Sequence, residues 1–377
     1  MATAAILTTA IALMPPPSTI GRRALLATAV PLAAHLGLPR AAHADSSGLL
    51  RLPMPDRLVA VGDLHGDCAV FERVLRVAGL YDNGRWIGGS AVLVQIGDVL
   101  DRGDEELQLL QLLRTLKREA AAAGGAVITM LGNHEVLNAM GISVYASPRS
   151  AAAFGDEGER ASAFRPGSEL ATELSSWPVA CVVGDTAFIH GGLTLAQVSG
   201  GLGDLNTASS DWLKGRRAPT GLDRPIDLIS GSKPPPNLGL SHSLSLGLGL
   251  SLHPAPPTSS ALATARRLTP PELLMPAQSS RGARSPLWMR DLSDPPGAEP
   301  PPAACADLKQ ALAALGARRL VVGHTVQPEI NEACDGSVVR IDVGLSAAML
   351  GAPPQALEIA RDGRVRVLTQ RGGVAVV

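Results

Sequence analysis

Several histidine, aspartate and asparagine side chains in this sequence lie where they could bind metal ions. They share one position, the few residues after a short apolar run, and the set is Asp63, His65, Asp98, Asn133, His190 and His324. Carboxylate, imidazole and amide donors together are typical of sites for Mn, Fe, Co or Zn, whereas an all-oxygen set would indicate Mg or Ca. Six ligands are too many for one catalytic ion with an open position. The set therefore predicts two ions about 3.5–4 Å apart, with Asp98 as the shared ligand.

Two ions at that spacing are suited to phosphoester hydrolysis. They generate a hydroxide at neutral pH and hold both the attacking and the leaving oxygen of an in-line displacement. Arg102 and Arg290 are candidates for binding the phosphate oxygens, because the planar guanidinium matches them bidentately. His134 is the candidate proton donor to the leaving oxygen, with Asp101 orienting its ring.

A single histidine after a strand is more often a structural residue than a functional one. Four of the eight histidines, however, are predicted to lie in glycine-flanked loops after apolar runs: His65, His134, His190 and His324. Their shared position favours the functional interpretation.

Three apolar runs place the first of these residues at the ends of strands. Leu58–Val61, Ala91–Ile96 and Ala126–Leu131 are too short for helices, and glycine follows each of them directly. Apolar residues at helical spacing predict helices over Cys68–Ala78 and about Glu105–Ala123. Strands that alternate with helices predict a largely parallel sheet, whose ligands bind beyond the carboxyl ends of the strands.

The second half of the chain continues with shorter elements. Residues 140–177 are polar and mixed, and we expect them to form a helical or irregular cap over the site. Val179–Val183 and Thr186–Ile189 are predicted strands joined by a turn at Gly184-Asp185. The remaining predicted elements are a helix at about Asp307–Leu315 and strands at Leu320–Val322, Val338–Asp342 and Val365–Thr369.

Two segments differ in composition from the rest. No acidic residue precedes Asp45, and Arg22-Arg23 stands before an apolar run that ends in Ala42-His43-Ala44, which resembles a cleavage site. We predict a targeting leader over 1–45, directing the protein to the chloroplast stroma or the thylakoid lumen; export to a bacterial periplasm is the alternative. The remainder, 46–377, is predicted to be one catalytic domain, interrupted by a low-complexity insertion at 231–283. A mistranslated intron would have the same composition.

Composition restricts the partners of the protein. Its 377 residues are 46% hydrophobic and 18% charged, which predicts a globular fold. A net charge of −1 gives no electrostatic reason to expect nucleic acid. The apolar run of the leader is short and contains Pro31, so we expect no stable membrane insertion. The cysteines have no CxxC spacing and are predicted to be mostly buried thiols, without a disulfide framework or zinc site: Cys68, Cys181, Cys305 and Cys334.

Five motifs follow one another along the chain in an informative order. They are GDLHG from Gly62, GDVLDRG from Gly97, GNHE from Gly132, HGGL from His190 and GHT from Gly323. This set resembles the signature of the phosphoprotein phosphatases, which belong to the calcineurin-like metallophosphoesterases. The stretches NHEVLN, AFRPG, LWMR and IDVG resemble the bacterial-type branch, the Shewanella-like phosphatases. LSAAM at 345–349 departs from the SAPNYC-type loop of the toxin-sensitive eukaryotic members.

The resemblance implies an α/β fold, the calcineurin-like αββα sandwich of two mixed sheets flanked by helices. It also implies two divalent transition metal ions, Mn, Fe or Zn, at the six ligands named above. Arg102 and Arg290 would bind phosphate, and His134 with Asp101 would supply the proton. The implied substrate is a phosphoprotein, dephosphorylated at Ser/Thr and/or Tyr. The alternatives are a hydrolase of small phosphoesters or dinucleoside polyphosphates, a catalytically silent scaffold, and a structural metal protein.

Overall fold

The strands that carry the predicted site belong to two different sheets. A computed structural model describes residues 43–45, 47–216, 274 and 285–375. In chain order its strands are β1 His43–Ala44, β2 Leu50–Leu52, β3 Arg57–Val61, β4 Tyr81–Asp82, β5 Arg85–Trp86, β6 Val92–Gln95, β7 Ala126–Thr129, β8 Ala180–Val183, β9 Thr186–Ile189, β10 Arg319–Val322, β11 Asn331–Ala333, β12 Val338–Arg340, β13 Gln355–Ala360, β14 Val365–Thr369 and β15 Gly372–Ala375.

Helices separate many of these strands. Those within the described residues are α1 Cys68–Val77, α2 Glu106–Ala122, α3 Asn133–Ala139, α4 Pro148–Ala153, α5 Glu157–Phe164, α6 Glu169–Leu174, α7 Leu195–Ser199, α8 Leu202–Leu213 and α9 Pro302–Leu315. The three short helices α4, α5 and α6 occupy the segment that was expected to form a cap.

Each large sheet mixes parallel and antiparallel pairs. One sheet has the order β15-β14-β13-β3-β6-β7 and the other the order β1-β2-β8-β9-β10-β12-β11. In the first, β3, β6 and β7 are parallel while β13 joins β3 antiparallel. In the second, β9, β10 and β12 are parallel while β8 pairs antiparallel with β9. The parallel arrangement predicted for the first three strands is therefore confirmed for β3, β6 and β7, but each sheet as a whole is mixed because antiparallel strands join it. The two mixed sheets are confirmed as well.

The parallel strands and the helices beside them have the burial that their sequences predict. Leu58, Val61 and Leu93 are fully buried, as continuous apolar strands covered on both faces should be. The side chain of Asp67 caps α1 by accepting the N–H of Val70 at 2.8 Å. Helix α2 buries its leucine face, including Leu113, and packs against β7. These predicted strands and helices are confirmed to within two residues at their ends.

Other boundaries differ from the prediction. Helix α9 begins at Pro302, five residues before the predicted Asp307, since proline is well accommodated in a first helical turn. The strand predicted to reach Asp342 ends at Arg340. Strand β13, at the centre of the first sheet, was not predicted, and neither was α3, which contains His134. His134 therefore lies in the first turn of a helix and not in a loop.

The cysteine prediction is wrong for one pair. Cys305 and Cys334 form a disulfide with their Cα atoms 5.2 Å apart. It joins α9 to the turn that connects β11 with β12. Cys68 and Cys181 are free thiols, half-buried and buried respectively. The pairing was missed because it depends on the approach of two distant elements, which sequence spacing does not reveal.

The two compositionally unusual segments fall mainly outside the described residues. Of the predicted leader, only 43–45 are described, and His43–Ala44 pairs antiparallel with β2. Of the 231–283 tract, only Leu274 is described. It is fully buried, and its carbonyl accepts the indole N–H of Trp288 at 3.0 Å. In the part of the chain that the structure describes, no helix is both long enough and apolar enough to cross a membrane.

Candidate active site

Loops from both large sheets are in contact with one another. A Cβ atom on Gly132, after β7, would lie 2.1 Å from the Asp98 carboxylate, which follows β6. A Cβ atom on Gly323, after β10, would lie 2.3 Å from the Asp63 carboxylate, which follows β3. Glycine is required at both positions because any side chain would displace a carboxylate. The loops after β3 and β10 are therefore in contact although their strands belong to different sheets.

The predicted metal ligands surround Asp98. Its Oδ2 atom lies 3.3 Å from Nε2 of His190 and 3.8 Å from Nε2 of His65. Oδ1 of Asn133 lies 3.0 Å from Nε2 of His190. All six predicted ligands are buried, with His324 the most exposed at 8%. The structure thus brings four of the predicted ligands into one buried cluster.

Asp63 and His324 complete the set from the other side. The backbone N–H of His324 donates to Asp63 Oδ2 at 3.1 Å, and Asp63 Oδ1 lies 4.0 Å from Nδ1 of His190. Asp98 belongs to two of the groups of donor atoms that are close enough to hold an ion: one with His65 and His134, the other with His190 and His324. His134 is not among the six predicted ligands. A carboxylate common to two donor groups occupies the position expected of a bridging ligand.

Hydrogen bonds orient the imidazoles toward the centre. Nδ1 of His65 is 3.1 Å from the Leu100 carbonyl, and Nδ1 of His190 is 3.1 Å from the Ile96 carbonyl. Donation from Nδ1–H leaves the Nε2 lone pair for an ion. Nε2 of His324 is buried without a hydrogen-bond partner, which is costly unless a ligand satisfies it. The donor set therefore fits divalent transition metals.

Burial also favours the ligating form of the histidines. It lowers the pKa of His65 to about 4. The pKa of His324 lies well below its usual value because of burial and the neighbouring His190 and Arg290. Both rings are neutral at pH 7, as metal binding requires.

The surroundings shift the pKa values of Asp63 and Asp98 in opposite directions. Burial and the nearby Asp342 raise the pKa of Asp63. Burial acts in the same direction on Asp98, but the surrounding imidazoles of His190 and His134 outweigh it and hold its pKa well below the usual range. Asp98 is therefore an anion at the centre of the site. Bound cations would favour the ionised form of Asp63 as well.

His134 has the surroundings of a proton donor. Its Nδ1 atom lies 2.7 Å from Oδ2 of Asp101, and its Nε2 atom lies 3.9 Å from Asp98. Burial lowers the pKa of His134, but the Asp98 and Asp101 carboxylates outweigh this effect and raise it overall. The two carboxylates therefore favour the protonated form of the ring, and the Asp101 contact at Nδ1 leaves Nε2 facing the centre.

Both predicted arginines lie beside this centre. The guanidinium of Arg102 lies 5.1 Å from the ring centroid of Tyr145, and its Nε atom is buried without a partner. Arg290 donates from Nη1 to the His324 carbonyl at 3.0 Å and to Oγ1 of Thr325 at 2.9 Å. The loop after β10, which carries His324, therefore fixes the position of Arg290.

An open cleft of about 750 Å³ adjoins Arg102. Arg149, Ser346 and Ala347 also line it. The segment at 345–349, which differs from the eukaryotic toxin-sensitive loop, therefore contributes to the wall of the cleft beside the site.

Backbone strain is concentrated in the same loops. Eight non-glycine residues among those described have a positive φ, and five of them are predicted site residues: His65, Asp98, Asp101, Arg102 and His324. Each such residue costs about 1–3 kcal/mol and persists only where the surroundings enforce it. Their clustering is typical of a functional site.

Glu135 is a buried residue to which the sequence assigned no role. Its carboxylate accepts four backbone N–H groups, from Gly132 at 2.7 Å, Val99 at 2.9 Å, Asp98 at 3.0 Å and Leu100 at 3.1 Å. Burial and the Asp98 charge raise its pKa to about 7, and the N–H groups of Gly132 and Leu100 act against that rise. Glu135 thereby joins the loop after β6 to the start of α3. The GNHE motif contained it, but only the structure shows these bonds.

Comparisons with known proteins agree with this geometry. Residues 56–266 match the calcineurin-like phosphoesterase family, which defines the class of the protein. Shewanella-like protein phosphatase 2 of Arabidopsis thaliana is 31% identical over 365 residues, covering 85% of this chain and 79% of that protein. Shewanella-like protein phosphatase 1 of Plasmodium berghei is 35% identical over 154 residues, covering 40% of this chain and 42% of that protein.

A solved structure shares the fold. The cold-active protein-tyrosine phosphatase of a psychrophilic Shewanella species superposes with a TM-score of 0.63 at 19% identity, covering 88% of this chain and 84% of that one. The chain therefore belongs to the calcineurin-like phosphoesterases and, among them, to the Shewanella-like protein phosphatases. The fold and the family expected from the motifs are confirmed.

Proposed function

We propose that this protein is a metal-dependent phosphoprotein phosphatase that hydrolyses phosphomonoesters of Ser/Thr and/or Tyr side chains. One observation supports this most strongly: Asp98 is common to two groups of buried imidazoles, and Arg290 donates to the carbonyl of His324 in one of them. We assign the six ligands predicted from the sequence to two divalent transition metal ions. Mn, Fe and Zn all suit this mixed donor set.

The roles of the side chains follow from their positions. When bound, the two ions supply Lewis acidity and activate a water at neutral pH. Arg102 and Arg290 bind the phosphoryl oxygens and neutralise charge that develops on them. His134 gives the proton on Nε2 to the leaving oxygen. Asp101 keeps that nitrogen directed inward by accepting the proton on Nδ1.

The other functions receive less support. Hydrolysis of small phosphoesters or dinucleoside polyphosphates uses the same fold, but the family match is to protein phosphatases. A catalytically silent scaffold would not need the hydrogen bond between His134 and Asp101, nor would it need all six metal ligands, and this chain has both. A structural metal centre would use thiolates in a closed tetrahedron. Cys305 and Cys334, the nearest approach to such a site in the described residues, are joined as a disulfide.

We further propose that the mature protein functions in an oxidising compartment. The composition of 1–45 supports import into the chloroplast, and a plant relative is consistent with that destination. A structural disulfide favours the thylakoid lumen over the stroma, and it suits a bacterial periplasm equally. Fusion of 1–45 to a fluorescent protein and protease protection of isolated thylakoids distinguish these locations. Fluorescence that stays in the cytosol would refute the leader assignment.

A comparison of substrates tests the proposed activity. The full chain is reconstituted with Mn²⁺ and assayed on phosphoserine, phosphothreonine and phosphotyrosine peptides of otherwise identical sequence. A dinucleoside polyphosphate is assayed in parallel. We expect kcat/KM to be highest for a phosphopeptide. Faster hydrolysis of the nucleotide would instead establish a small-phosphoester hydrolase, and metal binding without any hydrolysis would establish a scaffold.

A further inference from the structure

Arg160 is a fully buried arginine in the segment of three short helices at 148–174. It lies on α5, and its guanidinium is 5.7 Å from the ring centroid of Phe154 and 5.2 Å from that of Phe164. Burying a charge in such apolar surroundings is costly unless partners compensate it. The identity of those partners therefore indicates what the residue does.

The partners of Arg160 belong to the catalytic region. Its Nη2 atom donates to Oδ1 of Asp101 at 3.0 Å and to Oε1 of Glu106 at 2.7 Å. Its Nη1 atom donates to Oδ1 of Asn138. Asp101 and Glu106 are both buried, and the guanidinium of Arg160 forms an ion pair with each of them.

Arg160 reaches His134 along two routes. The two oxygens of Asp101 have separate partners, since Oδ1 accepts from Arg160 while Oδ2 pairs with Nδ1 of His134 at 2.7 Å. Asn138, the other partner, donates from Nδ2 to the His134 carbonyl at 2.9 Å. Arg160 thus constrains both the ring and the backbone of His134, whose Nε2 atom then lies 3.9 Å from Asp98.

We propose that Arg160 is a positioning residue for proton donation by His134. This inference rests on the proposed function, because it assigns a role within the same site. Arg160 does not contact the reacting atoms; it fixes Asp101 so that the second carboxylate oxygen is directed at Nδ1. Helix α5 therefore helps to orient the proton donor although it contributes no group that touches the substrate.

A comparison of leaving groups tests this role. The full chain with Arg160→Lys is loaded with Mn²⁺ and compared with the wild-type chain. Both are assayed on a phosphoserine peptide and on nitrophenyl phosphate. Lysine keeps the charge but lacks the planar fork that reaches separate partners. We expect kcat on the peptide to fall on the order of tenfold, the scale typical of groups that orient an imidazole. On nitrophenyl phosphate, kcat should change little, and KM should stay near wild type on both substrates.

Two controls separate positioning from folding. Arg165→Lys, at the exposed end of the same helix, should leave both activities unchanged. In a His134→Asn background, Arg160→Lys should add no further selective loss, because its effect passes through His134. Equal losses on both substrates, or a selective loss that persists without His134, would overturn the proposal.

A second variant covers the case in which Arg160→Lys does not fold. Glu106→Gln keeps the bond from Arg160 to Asp101 and weakens the anchoring of the guanidinium, so a smaller selective loss is expected. An unchanged ratio of the two activities would overturn the positioning role. A wild-type protein that hydrolyses neither substrate would refute the proposed function instead. Selective loss in His134→Asn alone, without any effect of Arg160→Lys, would refute only this inference.

Discussion

Replacing Asp98 with asparagine should abolish the stabilisation that metal ions give the protein. The substitution preserves shape, and the amide oxygen can still accept the backbone N–H of His134, which Asp98 Oδ1 accepts at 3.0 Å. What disappears is the negative charge shared by the two donor groups. We therefore expect a folded protein that has lost both ions and hydrolysis together.

The size of the effect follows from ligand binding to the folded state. An ion present at 100 times its Kd stabilises a protein by about 2.7 kcal/mol, so two independent ions contribute about 5.4 kcal/mol. In a domain of this size, 1 kcal/mol shifts the thermal midpoint by roughly 1.5 °C. Addition of Mn²⁺ should therefore raise the wild-type midpoint by about 8 °C and leave Asp98→Asn almost unchanged.

The assay combines thermal melts, with and without Mn²⁺, with metal content per chain. Asp104→Asn is the matched control, since Asp104 is exposed and belongs to the same loop but not to the ligand set. A variant at position 98 that keeps two ions and the wild-type shift would refute the shared-ligand assignment. Retention of one ion with half the shift would also refute it, since Asp98 would then serve one site only.

Three further substitutions separate the remaining roles. His134→Asn should slow phosphoserine peptide turnover by about 10²–10⁴-fold and nitrophenyl phosphate turnover far less, because nitrophenolate needs no proton. Equal losses with metals retained would remove the acid assignment. Arg102→Ala should slow both substrates alike in the same assay, since they share the phosphoryl group; a loss confined to one would contradict this. Cys305→Ser with Cys334→Ser should lower the free energy of unfolding by about 3–4 kcal/mol, given the separation of 29 residues, and an unchanged denaturation midpoint without reductant would show that the disulfide contributes nothing.

The strand-end loops could be predicted because short apolar runs and glycines mark them directly. Each apolar run is buried on both faces, and the glycine after it is needed for close contact, as Gly132 and Gly323 illustrate. Residue type and position therefore identified the set gathered around Asp98. The sequence could not show that β3 and β10 lie in different sheets, because pairing between distant strands leaves no local pattern.

The features that the sequence did not reveal depend on tertiary contacts or on short elements. Arg160 belongs to a short polar helix where an exposed arginine would be equally acceptable, and only packing places it beside Asp101. His134 was predicted as a loop residue because α3 is too short to show helical periodicity. The Cys305–Cys334 disulfide likewise requires α9 to approach the β11–β12 turn. Local patterns therefore located the chemistry, while the contacts that orient it became visible only in the folded chain.

The central claim is that one carboxylate, Asp98, joins two metal ions in a single site. Anomalous diffraction from crystals of the full chain grown with Mn²⁺ tests it most directly. We predict two peaks about 3.5–4 Å apart on either side of the Asp98 carboxylate. A single peak, or two peaks of which only one lies within coordinating distance of Asp98, would contradict the claim.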